Sequence, residues 1–335
     1  MHWLCVVKLT PTFLEKYMAT NWMRRTVMVA ACASAALLAA CGSSTTDSAI
    51  NPTRFIAFGD ANADVGQNGS RYTVNDASIG NWTRQVAAKY DKPLTAVSAG
   101  GTSYAVGNAR IKTKPDAAGN TSTPTVSDQI GTFLAGGGSF GASDVVFMSG
   151  GVSDLIASTA AVQAATLTDA AMLVAARQAG EDMAAQVKRL VNAGAKYVVV
   201  TGTYDLGKTP WAKAIGRESL LSNASSRFNE GLLVGIVDLG ANVLYVDSAY
   251  YVNLYTSSPG GFGFENATDA VCTSVDATNG IGIGAGQVNS LLCNTSTLRA
   301  GANQDKYTFA DAVYMTPSAQ RQFGIYAYDR LRARW

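Results

Sequence analysis

The chain has one histidine, His2, so residues 3–335 contain none. An imidazole is the usual proton acceptor for a serine nucleophile and the commonest nitrogen ligand for a metal ion. Beyond residue 2, a serine–histidine–aspartate centre and a histidine-built zinc site are therefore both excluded. Cysteine is also scarce, with 5 residues, at positions 5, 32, 41, 272 and 293. Charged residues make up only 15% of the chain, and no long run of one sign occurs. The apolar run at residues 26–40 has 15 residues, short of the roughly 20 a membrane-spanning helix needs.

What is present at the start reads as an export signal. Arg24 and Arg25 precede the apolar run, which ends in the small residues Ala39 and Ala40, the layout of a secretory leader. Leu38-Ala39-Ala40-Cys41-Gly42 resembles the lipobox of bacterial lipoproteins, whose cysteine is acylated and becomes the new N-terminus. That resemblance implies a lipid anchor on Cys41, and glycine rather than aspartate after it implies delivery to the outer membrane. The alternative is an ordinary leader ending near Ala40, with Cys41 a spare thiol.

A leader starting at Met23 makes residues 1–22 a misassigned upstream extension, 23–40 the signal peptide, and 41–53, polar and small, a flexible tether. Residues 54–335 then form one domain, near the upper size for a single core. Lys8, Lys16, Arg24, Arg25 and Glu15 precede Cys41, leaving 22 basic and 23 acidic residues after it. That balance points to neither nucleic acid nor an anionic bilayer as a partner. With Cys41 acylated, Cys272 and Cys293 are the remaining thiols in an oxidising compartment, and a disulfide between them is expected. Closing such a loop is worth about 3 kcal/mol in the chain-entropy model.

Short apolar runs at 55–58, 145–148, 197–200 and 243–246 are β-branched or aromatic and bounded by Gly, Asp or Asn, as buried strands are. Between them, 167–193 has helical spacing at Met183, Val187, Leu190 and Val191 with Gly194 as a stop, and a second helix is expected at about 217–239. Strands alternating with helices predict a mostly parallel sheet covered on both faces, with ligands bound at the carboxyl ends of the strands.

Four blocks carry the functional reading. Phe58-Gly59-Asp60-Ala61-Asn62-Ala63-Asp64-Val65-Gly66 follows the first strand. Gly101-Thr102-Ser103-Tyr104-Ala105-Val106-Gly107-Asn108 comes next, then Gly151-Val152-Ser153-Asp154, and finally Asp311-Ala312-Val313-Tyr314. Their order and content resemble the GDSL family of secreted lipases, phospholipases and esterases. The resemblance implies a three-layer α/β/α fold of the SGNH-hydrolase kind, flavodoxin-like, and ester hydrolysis without a cofactor.

Carried over position by position, however, the family's machinery is depleted. Its nucleophilic serine falls on Ala61, its oxyanion-hole glycine on Asn108, its oxyanion-hole asparagine on Ser153 and its base histidine on Tyr314; only Asp311, the orienting carboxylate, matches. A methyl group cannot attack a carbonyl, and a phenol with a pKa of about 10 is a poor base at neutral pH. Ser103, Ser149 and Ser153 are substitute nucleophile candidates, with Asp60, Asp64, Asp154 or a lysine as substitute base, though no spacing singles out a serine–lysine pair. Asp60, Asp154 and Asp311 read more simply as caps of helices and loops than as ligands of Ca²⁺ or Mg²⁺, and Trp82 and Tyr314 as pocket lining or core.

Three functions remain open. One is a non-hydrolytic relative that keeps an acyl-, ester- or glycan-binding cleft. The second is an active ester hydrolase with a non-histidine mechanism, and the third a structural envelope protein.

Overall fold

A computed structural model describes residues 50–335. The expected upstream extension, the leader, Cys41 and the tether as far as residue 49 lie outside the described residues. Four strands, β1 (Arg54–Gly59), β2 (Asp144–Ser149), β3 (Tyr197–Thr201) and β4 (Val243–Tyr245), pair in that order as one parallel sheet. They coincide with the four apolar runs. In register, Phe55 lies beside Val145, Val145 beside Tyr197, and Val198 beside Val243.

Eight α-helices occur among the described residues: α1 (Trp82–Ala88), α2 (Val126–Ala135), α3 (Val152–Gln163), α4 (Asp169–Asn192), α5 (Pro210–Ala214), α6 (Glu218–Ile236), α7 (Ser248–Ser257) and α8 (Pro317–Arg334). The two helices expected from spacing are α4 and α6. The Thr168 hydroxyl caps the start of α4 by accepting from Ala171 N–H at 3.2 Å, and Gly194 sits beyond its end at φ 102°, a left-handed conformation that glycine adopts without steric cost.

Strand alternation sorts the core into two layers, because successive side chains point to opposite faces. Ile56, Phe58, Val146, Met148, Val198 and Val200 pack against α2, α4 and α6 through Ile130, Met183, Val187 and Phe228. Phe55, Ala57, Val145, Phe147, Val199 and Leu244 pack against α1 and α8 through Trp82, Val86, Phe323 and Leu331. These are the two helical layers of an α/β/α fold.

Past β1 the sheet is extended by a bridge rather than a strand. Ser103 lies beside Ala57, with Ala57 N–H donating to Thr102 O at 3.2 Å and Tyr104 N–H to Ala57 O at 2.7 Å. Before β1, Ile50 and Pro52 are buried and Thr53 N–H donates to Ser143 O at 3.1 Å. The packed body thus begins within the stretch assigned by composition to the tether.

A small lobe was not legible as strands. In it β5 (Asn266–Ala270) pairs in parallel with β8 (Tyr307–Phe309), and β6 (Val275–Asp276) antiparallel with β7 (Gln287–Val288). A disulfide joins Cys272 to Cys293 in this lobe, buried beside Val74, Val271 and Ala310.

Candidate functional site

The four sequence blocks meet at the carboxyl ends of β1 and β2. The chain leaves β1 at Gly59, where an added Cβ would lie 2.0 Å from Ser149 O, so only glycine lets the two strand ends close up. Gln129 holds that end from α2: its Oε1 accepts from Gly59 N–H at 2.8 Å and its Nε2 donates to Gly59 O at 2.9 Å. Asp60, Ala61 and Asn62 turn immediately after it. From β2, Gly150 and Gly151 lead into α3, with Gly151 at φ 107° where a Cβ would strike the Phe228 ring. Ser153 and Asp154 therefore lie in the first turn of α3.

Every family-equivalent position is buried: Ala61 is 3% exposed, Asn108 7%, and Ser153, Asp311 and Tyr314 0%. The space between them is filled. The Tyr314 ring lies in an apolar cluster with Ala61, Tyr72, Val152, Tyr204 and Val313, and Tyr72 meets it edge-on with centroids 5.0 Å apart. The hydroxyl end of Tyr72 also crowds the chain at Gly107, where an added Cβ would sit 1.9 Å from its Cε2. Its ring thus covers the backbone immediately before Asn108. Tyr204 closes the far side, its hydroxyl donating to Val313 O at 2.8 Å.

Between the strand ends lies a cavity of about 10 Å³ lined by Asn62, Trp82, Ser149, Tyr204 and Met315, among others. That is about one water molecule's worth, against roughly 300–1,000 Å³ for small-molecule pockets. Three larger grooves measure about 460, 530 and 470 Å³; none is lined by a family-equivalent residue, but the third borders the site, lined by Gln129 and by Tyr104 and Val106 of the second block. The first, beside the ends of β3 and β4, carries Asp205, Glu230 and Asp247.

The carboxylates are engaged as ties. Asp311 Oδ1 accepts from Val313 N–H at 2.8 Å and Tyr314 N–H at 2.7 Å, and its Oδ2 from Ser290 N–H at 3.1 Å. Asp64 Oδ1 accepts from Gly66 and Gln67 N–H, and its Oδ2 from Gly107 N–H, all at 2.8 Å. Asp154 takes Ile111 N–H at 3.0 Å and the Arg110 guanidinium at 3.4 Å. Asp60 Oδ1 accepts from Asn62 N–H at 3.2 Å.

Burial disfavours the charged form of each. It pushes Asp60 up to about 7 against the pull of the Asn62, Ser153 and Val152 N–H groups, with Asp154 adding repulsion. Asp154 rises to about 6 despite Arg110, and Asp64 and Asp311 are also raised by burial. Burial drives the Tyr314 hydroxyl well above the ordinary phenol range, with neighbouring Tyr204 adding to it.

The hydroxyls have no such ties. Ser103, Ser149 and Ser153 Oγ and Tyr314 Oη are buried without a hydrogen-bond partner among the described residues. Ser103 belongs to the sheet-edge bridge beside Ala57, and Trp82 is core, packed on Phe147 and Phe323 at 5.2 and 5.4 Å. Asn108 adopts φ 60°, a left-handed conformation that asparagine tolerates better than most side chains, and its Nδ2 donates to Gly280 O at 2.8 Å. Tyr72, Tyr204, Gly107 and Gln129 were not foreseen. The loss of a serine and a histidine signals that something fills the space they leave, but Tyr72 sits in a loop without periodicity.

A family model described as GDSL-like lipase/acylhydrolase matches residues 55–326. The chain is also similar to a Pseudomonas putida protein described as an uncharacterized protein in the trpE-trpG intergenic region, 28% identical over 160 residues. The match covers 48% of this chain and 26% of that relative, so the chain spans about a quarter of the relative's length.

Proposed function

The chain belongs to the GDSL-like lipase/acylhydrolase family, and from that membership and the packed strand ends we propose that it is a non-hydrolytic member, held at the bacterial cell envelope by lipid on Cys41. One observation carries the reading: Tyr314, where the family places its base, is fully buried, meets Tyr72 edge-on and shares one apolar cluster with Ala61. Nucleophile, base and access are missing together. Removing both nucleophile and base from triad enzymes costs on the order of a millionfold in kcat.

The same packing argues against an ester-binding cleft at these positions. The tyrosine cluster occupies the family-equivalent positions themselves, which favours a role as a structural or docking component of the envelope; an acyl or ester ligand would have to use the neighbouring groove at Tyr104, Val106 and Gln129. The substitute-nucleophile reading is weaker, because an activated serine hydroxyl is hydrogen-bonded to its base and none of the three candidates has a partner among the described residues.

An alkyl fluorophosphonate, which phosphonylates activated serines, tests this. The native protein is expected to stay unlabelled under conditions that label an active serine esterase. Stoichiometric labelling at Ser103, Ser149 or Ser153, located by peptide mass, would overturn the reading.

A further inference from the structure

We propose that the face at the amino ends of the sheet strands rests on an anionic phospholipid surface, pointing the carboxyl end of the sheet away from the membrane. For the chain as a whole, charge is balanced after Cys41, but its distribution is not.

Helices α1 and α8 both finish at this face. The Trp335 ring packs on Tyr197, the first residue of β3, with centroids 5.0 Å apart. The Arg334 guanidinium bonds Gly240 O, just before β4. After α1, the Tyr90 ring stands 5.3 Å from Tyr328 and 5.8 Å from Phe55.

Around these half-buried rings stand the cations. Lys89, Lys196, Arg330 and Arg334 are exposed, Lys92 and Arg332 partly so, against the carboxylates Asp91 and Asp329. Lys89 and Arg332 lie over the Tyr328 ring at 5.9 and 5.6 Å. Lys89, Lys92, Lys196, Arg330 and Arg334 form no ion pair among the described residues. At the other end of the sheet, the groove beside β3 and β4 is lined by Asp205 and Asp247, which form no ion pair among the described residues, and by Glu230, which pairs with Arg177 and Arg227; Lys208 and Lys213 line the adjoining groove.

Two physical arguments choose a bilayer as the occupant. Tyrosine and tryptophan with long cationic side chains suit the headgroup layer, where the rings and stems sit in apolar surroundings and the charges reach anionic lipid. The chain also arrives here: Ile50 is buried in the cluster that holds Leu331, with Tyr328 and Trp335 packed against it. Cys41 precedes Ile50 by nine residues, a reach of at most about 30 Å. An anchor on Cys41 therefore keeps this face within range of the membrane; delivery, though not the face's affinity, rests on the anchoring proposed above. Cations at a helix C-terminus also complement the helix dipole, which accounts for Arg332 and Arg334 but not for Lys92, Lys196 or the tyrosines.

The test uses the full chain, expressed in a bacterium and purified from its envelope in detergent. It is reconstituted with vesicles of phosphatidylcholine alone, or with phosphatidylglycerol replacing part of it, each carrying a lipid-borne nitroxide quencher. The Trp335 contribution is isolated by difference from Trp335→Phe. Quenching several-fold stronger on the phosphatidylglycerol vesicles is expected, lost at high salt and in Lys196→Glu/Arg330→Glu, two exposed changes away from the ring contacts. Equal quenching on both vesicles, or none on either as for a protein-docking face, overturns the proposal. The mass of the N-terminal peptide reports acylation of Cys41 separately, and an unacylated protein added to the same vesicles still tests the face.

Discussion

The Tyr72 ring meets the Tyr314 ring edge-on at 68° and 5.0 Å, while its hydroxyl end crowds the backbone at Gly107, leaving no room there for a Cβ. One side chain thus covers both the place of the family's base and the approach to its oxyanion hole. Two substitutions alone should therefore not restore chemistry. Ala61→Ser/Tyr314→His is expected to show little ester hydrolysis, and adding Tyr72→Ala to raise it at least tenfold over the double variant. Initial rates with a short p-nitrophenyl ester check this.

Tyr72→Ala by itself should be costly. Truncating a buried aromatic ring typically removes about 3–5 kcal/mol, read here as a lower denaturant midpoint at unchanged slope.

Buried acids set the pH dependence. Asp60 stands at about 7 in the folded chain and Asp154 at about 6, both above the usual 3.8. The folded state therefore holds more protons than the unfolded one between pH 3.8 and these values. Stability should fall as pH rises through that window and level off above about 7. By these values the two acids together lose on the order of 7 kcal/mol, since each tenfold difference in proton affinity between the folded and unfolded chain is worth about 1.4 kcal/mol. Asp60→Asn should flatten the decline, as urea titrations across pH would show.

At Asn108 the backbone decides. With φ at 60°, Asn108→Gly should cost less than Asn108→Ala by about 1 kcal/mol, since a Cβ is penalised in the left-handed region. Both lose the bond to Gly280 O, so the difference in unfolding free energy isolates the backbone effect.

Removing the disulfide with Cys272→Ser/Cys293→Ser should cost about 3 kcal/mol, because the bridge spans 21 residues and closes that loop in the unfolded chain. Denaturant midpoints of the variant and the native protein, compared under oxidising conditions, check this.

The layered fold was legible because buried parallel strands read as continuous apolar runs: Phe55–Phe58 and Val145–Met148 needed no tertiary information. The helix at 169–192 was legible from its period and its glycine stop. The small lobe was not, since β6 and β7 are two residues each and are set by Asp276, Asn289 and the disulfide rather than by pattern. In the site, the absent histidine was plain from composition, and the methyl at position 61 from the resemblance of its block to the family motif. The filling of the space was not, because Tyr72 acts through a contact with Tyr314, far away in sequence, that no local periodicity encodes. The basic face escaped notice for a similar reason: Lys89, Lys196 and Arg334 converge only once α1, β3 and α8 are packed.

The most direct measurement is saturable turnover of p-nitrophenyl esters, from acetate to long acyl chains, by the purified native protein. The account predicts rates indistinguishable from buffer at every chain length. Saturable hydrolysis that disappears on changing Ser103, Ser149 or Ser153 to alanine would contradict it.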